Sequence, residues 1–85
     1  MRSFTYVIAD KVGIHARPAG AVVKTAQKYQ SSITISRGDD QADMKKLMEV
    51  MSLGVKCGQE ITVTAVGMDE EAACTELETI FKERL

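Results

Sequence analysis

The stretch Gly13–Ala19, which reads GIHARPA, marks the point where a strand pattern gives way to a helix pattern. Upstream, the side chains alternate with the two-residue period of a strand that has one buried face: Phe4, Tyr6 and Ile8 alternate with Ser3, Thr5 and Val7. Pro18 fits the following helix because it falls in the first turn, where its missing N–H would have had no partner. From Ala16 onward, apolar residues recur at helical spacing: Ala19, Val22, Val23, Ala26 and Tyr29.

The middle of the chain predicts two further strands and a short helix. Residues 32–36 alternate again, with Ile33 and Ile35 facing inward, and the sequence RGDD that follows predicts a turn into a weak edge strand ending near Asp43. Residues 47–53 form an apolar-rich helix, which Gly54 can terminate.

The last part of the chain predicts a strand and a final helix. Ile61, Val63 and Ala65 alternate with Thr62, Thr64 and Val66, which predicts a strand that ends at Gly67. Asp69 stands where it can cap the final helix, and two glutamates follow in the favourable first turn. The inner face of that helix consists of Ala73, Leu77, Ile80 and Phe81, with Cys74 at its margin.

These elements predict an α+β protein with the order βαββαβα. Each helix is apolar on one stripe and each strand on one face, so the economical packing is an open-faced β-sandwich. Its four-stranded antiparallel sheet carries the three helices on one face. The other face, rich in serine and threonine, is expected to be solvated.

Length and composition limit the classes of function that the chain can have. Eighty-five residues predict a single domain over 1–85, and a net charge of −1 gives no argument for nucleic acid or membrane binding. No apolar run is long enough to span a bilayer, and Met1–Ser3 leads into a strand pattern rather than a signal peptide. Cys57 and Cys74 have no metal-ligand spacing, so we expect reduced thiols, a cytoplasmic location, and no metal or cofactor.

His15 is the only histidine of the chain and lies where the glycine turn enters the helix. A helix start offers free N–H groups that attract anions, and Arg17 adds a fork of donors suited to phosphate oxygens. The same positive charges disfavour the imidazolium form, which leaves a nitrogen nucleophile available near neutral pH. This combination predicts a site that handles a phosphoryl group. From position alone, a histidine that merely caps the helix is the competing interpretation.

Motif and element order together resemble the histidine-containing phosphocarrier family, HPr, of the bacterial phosphoenolpyruvate-dependent sugar phosphotransferase system. GIHARPA resembles the phosphorylation-site motif of that family, and the resemblance extends over the whole chain. Two further segments support it, Leu47–Gly54 (LMEVMSLG) and Asp69–Ala72 (DEEA).

The resemblance implies a phosphoryl carrier rather than an autonomous enzyme. In the family, the histidine matching His15 receives a phosphoryl group on Nδ1 from enzyme I and passes it to sugar-specific enzyme IIA proteins. The backbone amides matching Ala16 and Arg17 would hold the phosphoryl oxygens, with the Arg17 side chain stabilising the phosphate. We expect a monomer, with transcription regulators as a further class of partner.

The resemblance also implies a docking surface beside the site. Lys24 and Gln27 lie on the polar side of the first helix, where simple solvation is the competing interpretation. Leu47, Met48 and Met51 cannot all face inward on so short a helix, and methionine suits surfaces that fit several partners. We expect Leu47 and Met48 to be exposed for docking rather than part of the core.

Three positions depart from the family pattern. Lys46 stands where many members carry a serine that a regulatory kinase phosphorylates, so we expect this switch to be absent. Val12 stands where the family often has a small polar residue before the glycine, which leaves the fine orientation of the imidazole in question. Glu49 places an acid where the docking patch of the family is commonly small or basic. These departures keep open the alternative of a paralog in a regulatory or nitrogen-linked phosphorelay. A non-phosphorylated module that binds a regulator is a second alternative, and the presence of both His15 and Arg17 argues against it.

Overall fold

The computed structural model describes residues 1–85 and confirms the predicted order βαββαβα. Each glycine at which an element was predicted to end lies outside the helices and strands, and Gly54 has the positive φ of 61° expected after a helix. The elements are β1 (Arg2–Val7), α1 (Ala16–Gln27), β2 (Ser32–Arg37), β3 (Asp40–Asp43), α2 (Leu47–Ser52), β4 (Glu60–Val66) and α3 (Glu70–Arg84).

The four strands form one antiparallel sheet in the order β1-β4-β2-β3. The register aligns Phe4 with Val63 and Val63 with Ile35, so the inward-facing residues of neighbouring strands stand side by side. β3 is the edge strand that the sequence predicted, and it pairs with β2 alone.

The helices cover one face of this sheet and enclose the core. Phe81 of α3 is fully buried, and its ring makes an edge contact with Phe4 and a tilted contact with Tyr6, at centroid distances of 5.9 and 6.0 Å. Val22 of α1 and Leu77 of α3 are also fully buried. The opposite face carries serine and threonine side chains that are exposed or half-buried, as predicted: Ser3, Thr5, Ser32, Thr34, Ser36, Thr62 and Thr64.

The predicted cap of α3 by Asp69 is wrong in its chemistry, although Asp69 does occupy the N-cap position. Its side chain makes no capping bond, and its carboxylate accepts the N–H groups of Gln30 and Ser31 at 2.8 and 2.9 Å, together with the Ser31 hydroxyl. The cause is tertiary: Gly67 lies so close to Ser31 that a Cβ there would be 2.6 Å from its Oγ. The Asp69 carboxylate therefore accepts hydrogen bonds from three donors on the neighbouring loop and none from its own helix.

Asp69→Asn should destabilise the protein at neutral pH and much less in acid. The Ser31 hydroxyl, and after it the Gln30 N–H, lower the pKa of Asp69 below its ordinary value. A lowered folded-state pKa contributes stability above the ordinary carboxyl range, and this contribution is lost as the pH falls through the folded-state value. Urea unfolding at pH 7 and pH 3 measures the difference. Asp39→Asn, in the exposed turn before β3, is the matched control, and an equal loss in both variants at pH 7 would contradict the prediction.

Candidate functional site

His15 is the N-cap residue of α1, with extended backbone angles of φ −119° and ψ 178°. Its carbonyl oxygen accepts the N–H of Ala19 at 2.9 Å, which starts the helix, but its side chain makes no capping bond. The imidazole is 38% exposed, and neither ring nitrogen is hydrogen-bonded to the protein. The interpretation of His15 as a side-chain cap is therefore wrong, and both nitrogens are available for chemistry.

The first turn of α1 presents free hydrogen-bond donors directly after this histidine. The N–H groups of Ala16 and Arg17 have no acceptor within the helix, and no loop or side chain supplies one. Pro18, buried in the same turn, has no N–H to contribute. Two adjacent N–H groups at the positive end of a helix form an arrangement that binds an anion.

Arg17 is exposed, and its guanidinium forms no hydrogen bond or ion pair with the protein. In contrast, Arg37 is held by the Gly54 carbonyl and by Asp40. Arg17 thus retains all of its donors for an external group, and a phosphate fits its planar fork.

Asp10 is a neighbour of His15 that the sequence analysis did not single out. Its Oδ2 lies 3.7 Å from Nε2 of His15, and its Oδ1 accepts the N–H of Val12 at 2.8 Å. Aspartate at the start of a turn often bonds the N–H two residues further on, so the turn was predictable. Its approach to the imidazole was not. Val12 contributes only its backbone N–H to this turn, and its side chain is 69% exposed. Since that side chain is apolar, it forms no hydrogen bond that could orient the imidazole.

Two distant segments hold the loop between β1 and α1. The N–H of Ile14 donates to the Val55 carbonyl at 3.0 Å, and Gly13 packs so closely there that a Cβ would lie 2.4 Å from the same oxygen. The N–H groups of Ala9 and Asp10 both donate to the backbone oxygen of Leu85, at 2.6 and 2.7 Å. The position of His15 thus depends on the loop before β4 and on the residue after α3.

The residues predicted for docking on α1 behave differently from one another. Lys24 is exposed and has no ionic partner in the protein. Gln27 is also exposed, but its amide Nε2 donates to the Lys45 carbonyl at 2.8 Å. Gln27 therefore joins α1 to the segment that precedes α2.

On α2, Met48 and Leu47 are 76% and 40% exposed, as predicted. Met51 is half-buried and packs against the core, so only part of it reaches the surface. Lys46 is the exposed N-cap residue of α2, and its Nζ lies 3.7 Å from Oε2 of Glu49. The negative charge of Glu49 is therefore partly balanced by Lys46.

The side chains form no cluster of three or more histidine, cysteine, aspartate or glutamate residues that could hold a metal ion. None of the helices has the length and apolar character needed to cross a bilayer.

Comparison with known proteins shows the family of this chain. The sequence profile described as "PTS HPr component phosphorylation site" matches residues 2–83. The phosphocarrier protein HPr of Mycoplasma capricolum subsp. capricolum is 45% identical over 73 residues, which cover 86% of this chain and 82% of that protein.

Solved structures show the same architecture. A histidine-containing phosphocarrier protein of Mycoplasma superposes with a TM-score of 0.94 at 39% identity, covering 96% of this chain and 93% of the other. Crh of Bacillus subtilis, a catabolite repression protein described as a dimer with domain swapping, superposes with a TM-score of 0.78 at 33% identity, covering 89% and 87%.

The fold and these matches define the class as small phosphocarrier proteins. Within that class, the chain belongs to the HPr family, the phosphocarriers of the phosphotransferase system.

Proposed function

We propose that His15 accepts a phosphoryl group on Nδ1 from enzyme I and passes it to enzyme IIA proteins. The observation that carries this assignment is a half-exposed imidazole, free of hydrogen bonds, at the N-cap of α1. The unpartnered N–H groups of Ala16 and Arg17 and the free Arg17 side chain adjoin it. A purely regulator-binding module would need neither a free nucleophile nor free anion-binding donors.

In this function the protein positions the group and stabilises its charge. The Nδ1 lone pair forms a bond to phosphorus as the bond between phosphorus and the donor enzyme breaks. The Ala16 and Arg17 N–H groups and the Arg17 guanidinium then bind the phosphoryl oxygens. Phosphoryl transfer asks for little else from the protein, because its transition state is governed mainly by positioning and electrostatics.

We assign partner docking to the exposed surface around His15. Lys24 supplies a free positive charge, and Leu47 and Met48 supply exposed apolar area, with smaller contributions from Gln27 and the outer part of Met51. A modest apolar patch with a charged rim suits brief complexes with several partners, as a relay between enzyme I and enzyme IIA requires. The protein would serve these partners in the cytoplasm as a monomer, and regulators are a further class of partner.

The proposal is tested by mixing the protein with phosphoenolpyruvate and enzyme I. We expect one phosphoryl group per chain, stable in base and labile in acid, and ³¹P–¹⁵N correlation should place it on Nδ1 of His15. Adding an enzyme IIA should discharge it. Phosphate that resists acid, or a bond to Nε2, would contradict the assignment.

Lys46 should make the protein insensitive to an HPr kinase. Lysine has no hydroxyl to accept phosphate at the N-cap of α2, and it adds positive charge where a phosphoserine would add negative charge. Incubation with ATP and the kinase should leave α2 unlabelled, whereas Lys46→Ser should restore labelling at position 46. Label in α2 of the native chain, for example on Ser52, would refute the expected loss of this switch.

A further inference from the structure

We propose that Asp10 is a positioning residue for phosphoryl transfer, which keeps the proton of neutral His15 on Nε2. The lone pair of Nδ1 is then the one directed toward phosphorus. This inference rests on the proposed function and adds to it the reason why one ring nitrogen, and not the other, acts as the nucleophile.

The carboxylate of Asp10 is held in place before any ligand arrives. Its Oδ1 accepts the Val12 N–H at 2.8 Å, and its backbone N–H donates to the Leu85 oxygen at 2.7 Å. The side chain is only 28% exposed, so Oδ2 has limited freedom beside the imidazole. This oxygen lies 3.7 Å from Nε2, beyond ordinary hydrogen-bond length, and acts on the ring by its charge.

No other charge in the protein neutralises this carboxylate. His15 is the only basic group within ion-pair distance of Asp10, and the neighbouring Lys11 forms no ion pair with it. Arg17 also leaves Asp10 unpaired. A negative charge on the Nε2 side and free N–H donors at the start of α1 therefore give the ring two different sides. In histidine, the group facing one ring nitrogen selects which nitrogen carries the proton.

The same arrangement serves both directions of transfer without moving a proton. On acceptance, the Nδ1 electron pair forms the N–P bond while Nε2 keeps its hydrogen, so the ring becomes cationic and the Asp10 charge stabilises it. On delivery, the N–P bond breaks, its electron pair returns to Nδ1, and neutral imidazole leaves. A ring that had lost the Nε2 proton would have to leave as an anion, which is a much poorer leaving group.

Asp10→Asn tests the inference because it reverses the polarity at one atom. The asparagine Oδ1 can keep the bond to Val12, while its NH₂ group replaces Oδ2 and presents a donor to Nε2. We expect ¹⁵N NMR of the unphosphorylated protein near pH 8 to show a shift toward the tautomer protonated on Nδ1. Both acceptance from enzyme I and delivery to enzyme IIA should slow by about threefold, the scale of a half-exposed charge interaction.

Asp39→Asn is the matched control, since it removes the same charge from the exposed turn before β3. It should leave the His15 nitrogens and both rates unchanged. If Asp10→Asn folds normally and shows native ¹⁵N shifts and native rates, the inference is overturned while the proposed function stands. If the native chain accepts no phosphate, the proposed function fails, and the tautomer measurement still decides whether Asp10 orients the ring.

Discussion

His15→Ala is expected to abolish phosphate acceptance from enzyme I, with a loss of at least about 10³-fold. The chain contains no second histidine that could replace it. The N–H groups of Ala16 and Arg17 would remain and could still bind an anion, but no atom near them could form the covalent bond. Binding without a nucleophile gives no transfer, so the effect exceeds that of removing any single phosphate-binding donor.

The fold should survive this substitution. The His15 side chain makes no hydrogen bond, is partly exposed, and has only the 3.7 Å approach to Asp10 as an ionic contact. We therefore expect the free energy of unfolding to change by less than about 0.5 kcal/mol, the usual range for surface positions. Circular dichroism and urea unfolding check this, and acid-labile labelling checks the function. Unchanged incorporation in a folded His15→Ala protein would place the acceptor elsewhere.

Gly13→Ala should lower the free energy of unfolding by about 2–4 kcal/mol. The residue has φ +80°, where an L side chain is strained. An added Cβ would also lie 2.4 Å from the Val55 oxygen and 2.8 Å from Cα of Lys56. Both are backbone atoms, so no side-chain rotation can relieve the clash. The loop has to move, and the bond from Ile14 to Val55 is weakened with it.

Gly38→Ala separates backbone strain from the clash. Gly38 also has a positive φ, +59°, but a Cβ there would meet nothing within 4 Å. It should cost about 1 kcal/mol, for strain alone. Urea unfolding of both variants measures the difference, and phosphoryl transfer should slow only in Gly13→Ala, because only that loop carries the site. Equal losses in the free energy of unfolding for the two variants would show that the close approach to Val55 adds nothing to the cost of Gly13→Ala.

Much of the fold was predictable because local patterns and global packing agree in this chain. The two-residue period at Ile33 and Ile35, the helical period of α1 and the terminating Gly54 each followed from local geometry, and the structure confirms them. Exposure of Met48 was also predictable, since a helix of six residues cannot bury apolar side chains on every side. Asp69 is the exception. Its carboxylate binds three donors on a loop nearly forty residues earlier in the chain, so it does not cap the N–H groups of its own helix.

The site likewise contains some features that were predictable from sequence and others that depend on tertiary contacts. The sequence by itself determined the groups that lie next to one another in the chain: the His15 imidazole, the free N–H groups at the start of α1, and the Arg17 charge. The tertiary structure alone decided what surrounds them. Val55 and Leu85, far away in sequence, hold the loop, and the turn they support brings the Asp10 carboxylate to one nitrogen of the ring. The physical reason is range: helix-end electrostatics act within one turn of chain, whereas the orientation of a side chain depends on contacts that only folding creates.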